Sequence, residues 1–365
     1  MELNTRTTKE EADAKTSYFL SPTTRYQGSK RRILPWLSEV FEGLQFDSVL
    51  DGFGGTGSVS YLFKKMDKKV TFNDILISNV NTGISYILNN KITLTDKDIE
   101  FIFHKNGFSY TNTIAEIYDG IYFTGEENKQ LDIISRNVRM LSELYDGREL
   151  KIKRAIAYHC LYQAALSKRP FNLFHRSNLS LRTTEGVSRS FGNKKTWERS
   201  FQELFYKFAR EHNEKLISSI RKNDVTNRDI MNIRKNSYDL VYLDPPYRKS
   251  QDESAIDYQL FYHFLEGMTY YDSLSNNVDF TKKTRPVTFN RNYWSSSLSD
   301  FSKLFSRFKD SIIVVSYWTP GYPTVEELFK IMSKYKSKVN VYTKKHSYSL
   351  SKSNSETYEV LIVGQ

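Results

Sequence analysis

Three stretches of the chain predict a doubly wound α/β protein with helices on both faces of a mostly parallel sheet. A short strand, Asp47-Ser-Val-Leu-Asp51, runs into the glycine turn Gly52-Phe-Gly-Gly-Thr-Gly57 and then an apolar run from Val59 to Phe63. Strand, glycine turn and helix in that order open such a sheet. Lys69-Val-Thr-Phe-Asn-Asp74 supplies a second strand ending in an acid. Tyr238-Asp-Leu-Val-Tyr-Leu243 is almost continuously apolar, as a parallel strand covered on both faces must be, and runs straight into Asp244-Pro-Pro-Tyr247.

Later strands are expected at Ser311 to Tyr317 and Tyr358 to Val363, with a helix around Thr324 to Tyr335 between them. The second strand and Asp244 are separated by far more chain than the dozen or so residues a crossover needs, so most of that stretch must be an insertion with its own task. Its helical, polar-aromatic pattern places it at 86–214, leaving 21–85 and 215–365 for the sheet domain. Residues 1–20 contain acids and no apolar core of a secretory signal, and are expected to be a flexible tail.

Composition narrows the partners. A chain of 365 residues, 39% hydrophobic, can bury a real core. Its 53 Lys and Arg against 42 Asp and Glu give a formal charge of +11, which favours a polyanion such as nucleic acid. The 24 Phe and 25 Tyr suit both core packing and stacking on bases. No apolar run approaches the ~20 residues that span a bilayer, so no membrane partner is expected. A lone cysteine, Cys160, forms no internal disulfide and fits a reducing, cytoplasmic compartment. The 6 histidines have no paired spacing and no cysteine partners, so no metal site is expected, and His175 and His263 receive no catalytic role.

The turn Gly52–Gly57 matches GxGxxG, a weak signal that would first suggest a dinucleotide. Asp51 argues otherwise. A carboxylate at the strand end would repel a pyrophosphate but suits a ligand bearing an ammonium and a sulfonium, which are the two cations of S-adenosylmethionine. Asp74, 23 residues after Asp51, stands near the ~20-residue spacing at which an acid accepts hydrogen bonds from ribose hydroxyls. In Asp244-Pro245-Pro246-Tyr247 the two prolines stiffen the turn and leave carbonyls as outward acceptors. An exocyclic amine has two N–H donors, and here a carboxylate and a proline carbonyl stand side by side to receive them. Tyr247 adds a ring on which a planar base can stack.

Arg25-Tyr-Gln-Gly-Ser-Lys30, then the Asp51–Gly57 segment, Asp74 and Asp244–Tyr247 resemble, in their alpha order, the Dam-like adenine-N6 DNA methyltransferases. That resemblance implies a class I S-adenosylmethionine-dependent methyltransferase fold, a Rossmann-like seven-stranded mixed sheet. It implies that Tyr26 and Lys30 flank the methionine end of the cofactor, that Phe53, Gly55 and Gly57 cradle it, and that Asp74 holds its ribose. Asp229, or alternatively Asp224, would contact the cofactor adenine, and Asp244 would lie between cofactor and target base. Within the insertion, Lys168-Arg-Pro-Phe-Asn-Leu-Phe-His-Arg176 and Ser190-Phe-Gly-Asn-Lys-Lys-Thr-Trp197 are similar to the modification enzymes that accompany type IIS restriction nucleases of the FokI kind. Lys168, Arg169, Arg176, Arg182, Arg189, Lys194 and Lys195 are interleaved there with aromatic rings, a mixture suited to phosphate and base-edge contacts.

The combined expectation is a site-specific enzyme that methylates the N6 amine of an adenine flipped out of duplex DNA, the modification half of a restriction–modification pair with a cognate nuclease encoded nearby. Two rivals stay open at this point. One is a methyltransferase acting on RNA or a protein amide, against which Asp at 244 and the basic insertion speak. The other is a catalytically silent DNA-binding protein, which leaves Lys30, Asp51, Asp74 and Asp244 without a purpose.

Overall fold

The computed structural model describes Pro22, Arg25, residues 28–184, Gly186, and residues 194–234, 238–287, 294–346 and 357–365. The expected tail, 1–20, lies outside them. Seven strands form one sheet: β1 (Ser48–Asp51), β2 (Lys69–Asn73), β3 (Asp224–Thr226), β4 (Leu240–Leu243), β5 (Ile312–Thr319), β6 (Val339–His346) and β7 (Thr357–Gly364). Their spatial order is β3-β2-β1-β4-β5-β7-β6. Strands β1 to β5 run parallel, and β7 inserts antiparallel between β5 and β6. The sheet is therefore mixed and seven-stranded, as expected.

Alternation along the strands covers both faces. Val49, Val70, Phe72, Leu240, Tyr242 and Val314 pack on one side against α1 (Leu34–Glu42) and α2 (Ser58–Lys65). Leu50, Val241, Leu243, Ile313 and Val315 point to the other, where Phe301, Leu304, Leu328 and Met332 close a second core. All four residues of β4 are buried, which is why its sequence carries no polar alternation.

Helix α3 (Ile77–Gly83) follows β2 and leads into a third core. There α4 (Asp96–Phe103), α5 (Gly125–Arg139), α6 (Gly147–Ser167) and α7 (Phe201–Lys215) meet α8 (Tyr258–Thr269). Their starts are set by sequence: Thr95 with Asp98, Thr124 with Glu127 and Ser200 with Glu203 are capping boxes. Two more helices, α9 (Leu298–Arg307) and α10 (Val325–Met332), belong to the sheet domain and also begin with capping boxes. No helix among the described residues is long and apolar enough to cross a membrane.

Candidate active site

The chain leaves β1 toward β2 on one side and later β4 toward β5 on the other, so the sheet divides between β1 and β4. In open α/β sheets the crevice beyond the carboxyl ends of two such strands is where ligands bind. Here β1 ends in Asp51 and the glycine turn, while β4 ends in Asp244-Pro-Pro-Tyr247, and the ladder pairs Asp51 with Tyr242. The two segments that drew attention in the sequence are neighbours.

Backbone contacts fix the turn. Gly52 N–H donates to the Tyr242 carbonyl (2.9 Å) and Gly54 N–H to the Asn73 carbonyl (2.8 Å). A Cβ on Gly54 would lie 2.2 Å from the Phe72 ring, so the strand and turn approach only because that residue is glycine. Gly57 caps α2 at φ 72°, a conformation that favours glycine. Asp74 ties the turn to the start of α3: it accepts from Gly55 N–H and Leu76 N–H, each at 2.8 Å. Asn73 donates from one amide to the carbonyls of Gly52 and Arg228, joining the ends of β1 and β3.

One cavity of about 210 Å³ lies over these strand ends. Lys30, Asp51, Phe53, Gly55, Asp74, Asp229, Asp244, Pro245, Pro246 and Tyr247 all border it. Of the other expected cofactor residues, Gly57 stands outside its wall and Tyr26 lies outside the described residues. Asp229 borders the cavity, where its carboxylate accepts Met231 N–H (2.9 Å). Asp224 opens β3 at the opposite end of the ladder, level with Thr71, and is exposed. Of the two acids, Asp229 borders the cavity and Asp224 does not.

The electrostatics of the cavity are strongly perturbed. Asp51 is buried and accepts from Ser60 (2.7 Å) through Oδ2, while Oδ1 has no hydrogen-bond partner among the described residues. Burial raises its carboxyl to about 7 in spite of Ser60, with Asp244 and Asp74 adding to the rise. An orphaned carboxylate oxygen at that depth calls for a cationic ligand. Asp244 is also raised, to about 6, by burial, against the pull of Lys30 and with a push from Glu359. Lys30 Nζ stands 3.2 Å from Asp244 Oδ1 and 3.2 Å from Glu359 Oε2. Burial alone would lower that ammonium, but the two carboxylates hold it well above its ordinary value.

Aromatic rings complete the walls. Tyr247 stacks on Trp318 (centroids 5.5 Å, 25°) and meets Tyr317 edge-on, while Phe53 meets Trp294 edge-on at 5.4 Å. Tyr258, at the start of α8, also borders the cavity, and a Cβ on Gly28 would come 2.9 Å from its hydroxyl. Sequence reasoning missed Asn73, Trp294 and Glu359. Asn73 immediately precedes Asp74 at a strand end and was findable; Glu359, inside an apolar strand, was the stronger unread signal.

The basic cluster divides. Lys168, Arg169 and Arg182 were expected to meet DNA, but the structure turns all three inward. Lys168 and Arg182 pair with Glu127 at 2.9 and 2.7 Å. The Arg169 guanidinium lies over the rings of Tyr122 and Phe174 and donates to the carbonyls of Leu173 and Arg176. Lys168 and Arg182 share one carboxylate and Arg169 is held by backbone carbonyls, so none of the three side chains projects from the surface. Arg176 and Lys195 are exposed, as is Phe171 at a left-handed φ of 63° between them and Arg169 in the chain. Arg189 and the Lys194 side chain lie outside the described residues. His263 is fully buried, accepting from Val287 N–H and facing the Phe174 carbonyl and Tyr122 hydroxyl, which is a core role.

The strand order, the single reversed strand and a ligand cavity at the switch point are together those of a class I methyltransferase. Over residues 26–315 the sequence matches the family described as D12 class N6 adenine-specific DNA methyltransferase, and the chain belongs to that family. It therefore transfers a methyl group from a methyl donor to the N6 of adenine in DNA. Among known proteins it is similar to "Type II methyltransferase M2.HphI" of Haemophilus parahaemolyticus, 27% identical over 357 residues, which covers 93% of this chain and 96% of that protein. It is also similar to "Modification methylase LlaI" of Lactococcus lactis subsp. lactis, 24% identical over 321 residues, 85% of this chain but 49% of that protein.

Proposed function

We propose that the methyl donor is S-adenosylmethionine, that the substrate is an adenine flipped out of duplex DNA, and that the enzyme is the cytoplasmic modification half of a restriction–modification pair. The observation that carries the reading is the meeting, in one cavity, of an acid with an orphaned oxygen and a stiff Asp-Pro-Pro-Tyr turn. Asp51 Oδ1 fits the cationic end of the donor, and Asp74 and Asp229, which border the same cavity, are assigned to its ribose and adenine. When bound, the donor supplies a methyl already activated by a sulfonium leaving group.

Asp244 and the Pro245 carbonyl accept the two N–H bonds of the target amine. That pairing localises a lone pair otherwise delocalised into the ring and aims it at the methyl. The lone pair forms the N–C bond as the C–S bond breaks, and Asp244 is placed to take the proton nitrogen then sheds. Tyr247, backed by Trp318, offers its face to the flipped base. Burial holds the Cys160 thiol protonated inside α6, so nothing favours a covalent enzyme intermediate.

Target choice we assign to the insertion, 86–214, with Arg176 and Lys195 as its outward cations. The modification half of the reading is supported by the name of one relative, a modification methylase. The test is transfer of labelled methyl from S-adenosylmethionine to duplex DNA, RNA and protein in parallel, followed by mapping of modified adenine. Label recovered in RNA or protein and absent from DNA would overturn the reading.

A further inference from the structure

Lys30 is held between two carboxylates that the chain brings from opposite directions. Asp244 follows the parallel strand β4, whereas Glu359 comes from the reversed strand β7, where it faces Trp318 of β5 and Lys344 of β6. The Lys30 and Glu359 side chains are 8% and 6% exposed, so water screens this pair little. Other ionisable groups that act on Asp244 and Lys30 include Asp51 and the hydroxyls of Tyr242, Tyr247 and Tyr258. An ammonium 3.2 Å from Asp244 poses a difficulty for the reaction. The amine nitrogen gains positive charge as the methyl arrives, and a lysine beside the carboxylate cancels the field meant to offset it.

We propose that Glu359 is a positioning residue for methyl transfer: by sharing Lys30 it leaves the three groups with one net negative charge, directed through Asp244 at the developing cation. Lys30 then serves to anchor Asp244 through Oδ1 without neutralising the site. This rests on the reading of Asp244 as the acceptor of the target amine.

Glu359→Gln keeps the side-chain shape and a hydrogen-bond acceptor for Lys30 while removing one charge. With labelled S-adenosylmethionine and duplex DNA, kcat should fall about tenfold or more, while KM for the donor stays within about twofold. The acid limb of the kcat profile should move to lower pH, because Lys30 is left to act on Asp244 alone. A purely structural role would lower Tm and leave the limb where it was. Lys30→Met strands two carboxylates together, and adding Glu359→Gln restores one net negative charge, so the double variant should outperform Lys30→Met. The proposal is overturned by a Glu359→Gln enzyme with wild-type kcat and an unmoved limb, by a limb moved to higher pH, or by a double variant no better than Lys30→Met. Asp244→Ala, which removes both carboxylate oxygens, separates the two failures. Activity in Asp244→Ala would refute the acceptor role itself, whereas an inactive Asp244→Ala beside a normal Glu359→Gln refutes only the role of Glu359.

Discussion

The backbone N–H of Gly52 donates to the carbonyl of Tyr242 across 2.9 Å, and this one bond joins the two segments that carry the chemistry. Tyr242 is two residues from Asp244, and Gly52 follows Asp51 directly. The turns that end β1 and β4 are thus tied through the backbone of one parallel ladder, and the proposed in-line transfer between groups on them depends on such close placement.

In the proposed role Asp244 can take the proton shed by the target amine only when ionised, and its carboxyl is raised to about 6. Transfer should therefore fall away as pH drops through about 6 rather than near 4. Because the folded-state value is raised, the charged carboxylate costs stability above pH 6, and that cost disappears below its ordinary value of 3.8. Asp244→Asn should accordingly leave Tm unchanged or higher while reducing turnover by roughly 100-fold or more. Thermal melts beside single-turnover rates check both halves, and a variant that loses activity only by unfolding would refute the assignment.

Asp51 stands at about 7 in the free chain, so near neutrality a good part of it is protonated. A cationic donor binds the ionised form and pulls that value down. Affinity for S-adenosylmethionine should then rise as pH climbs through about 7, and binding should release protons. Calorimetry at one pH in buffers of different ionisation enthalpy measures the release directly. Equal apparent enthalpies in all buffers would remove Asp51 from the cationic end of the donor.

Much of this site was legible in the sequence because its parts are local. Strand, glycine turn and Asp-Pro-Pro-Tyr are contiguous segments, and a doubly wound sheet brings strand ends together without further information. Glu359 carried a local mark, an acid inside an apolar strand, but its use was not legible, since that depends on β7 running backwards past β5, a long-range fact. Three cations of the basic cluster were read as facing outward for a related reason. Charge pattern marks Lys168, Arg169 and Arg182 as basic, but only the tertiary fold shows that Glu127, doubling as the N3 acid of the α5 capping box, draws two of them inside.

Asn73 is a positioning residue by geometry, with its amide nitrogen 3.0 Å from both the Gly52 and Arg228 carbonyls and its Oδ1 accepting from Thr226 and Arg228. Asn73→Ala would leave buried backbone carbonyls unpaired beside the donor cavity, at about 1–3 kcal/mol. Donor affinity should weaken while the pH profile set by Asp244 stays in place. A variant that binds the donor as tightly as wild type would show that the turn holds its shape without Asn73.

Arg169 and Arg176 are seven residues apart and should behave as opposites. Arg169 is 1% exposed, lies on two aromatic rings and donates to backbone carbonyls of its own loop, so alanine there removes packing and strands several acceptors. Losses of that kind cost about 2–4 kcal/mol and should lower Tm by several degrees. Any fall in DNA binding should follow the fall in folded fraction and be equal on all sequences. Arg176 is exposed, and its carbonyl, not its guanidinium, is what Arg169 holds. Arg176→Ala should keep Tm within about a degree, since surface substitutions away from such features stay within ~0.5 kcal/mol. If its guanidinium reads a base edge, methylation of a randomised duplex library should lose preference at one base pair, at about 1–3 kcal/mol. Lys195→Ala is the control for a phosphate contact, weakening all duplexes alike and lowering the salt-dependence slope by about one unit. Loss of preference with Lys195→Ala and none with Arg176→Ala would reverse the two roles.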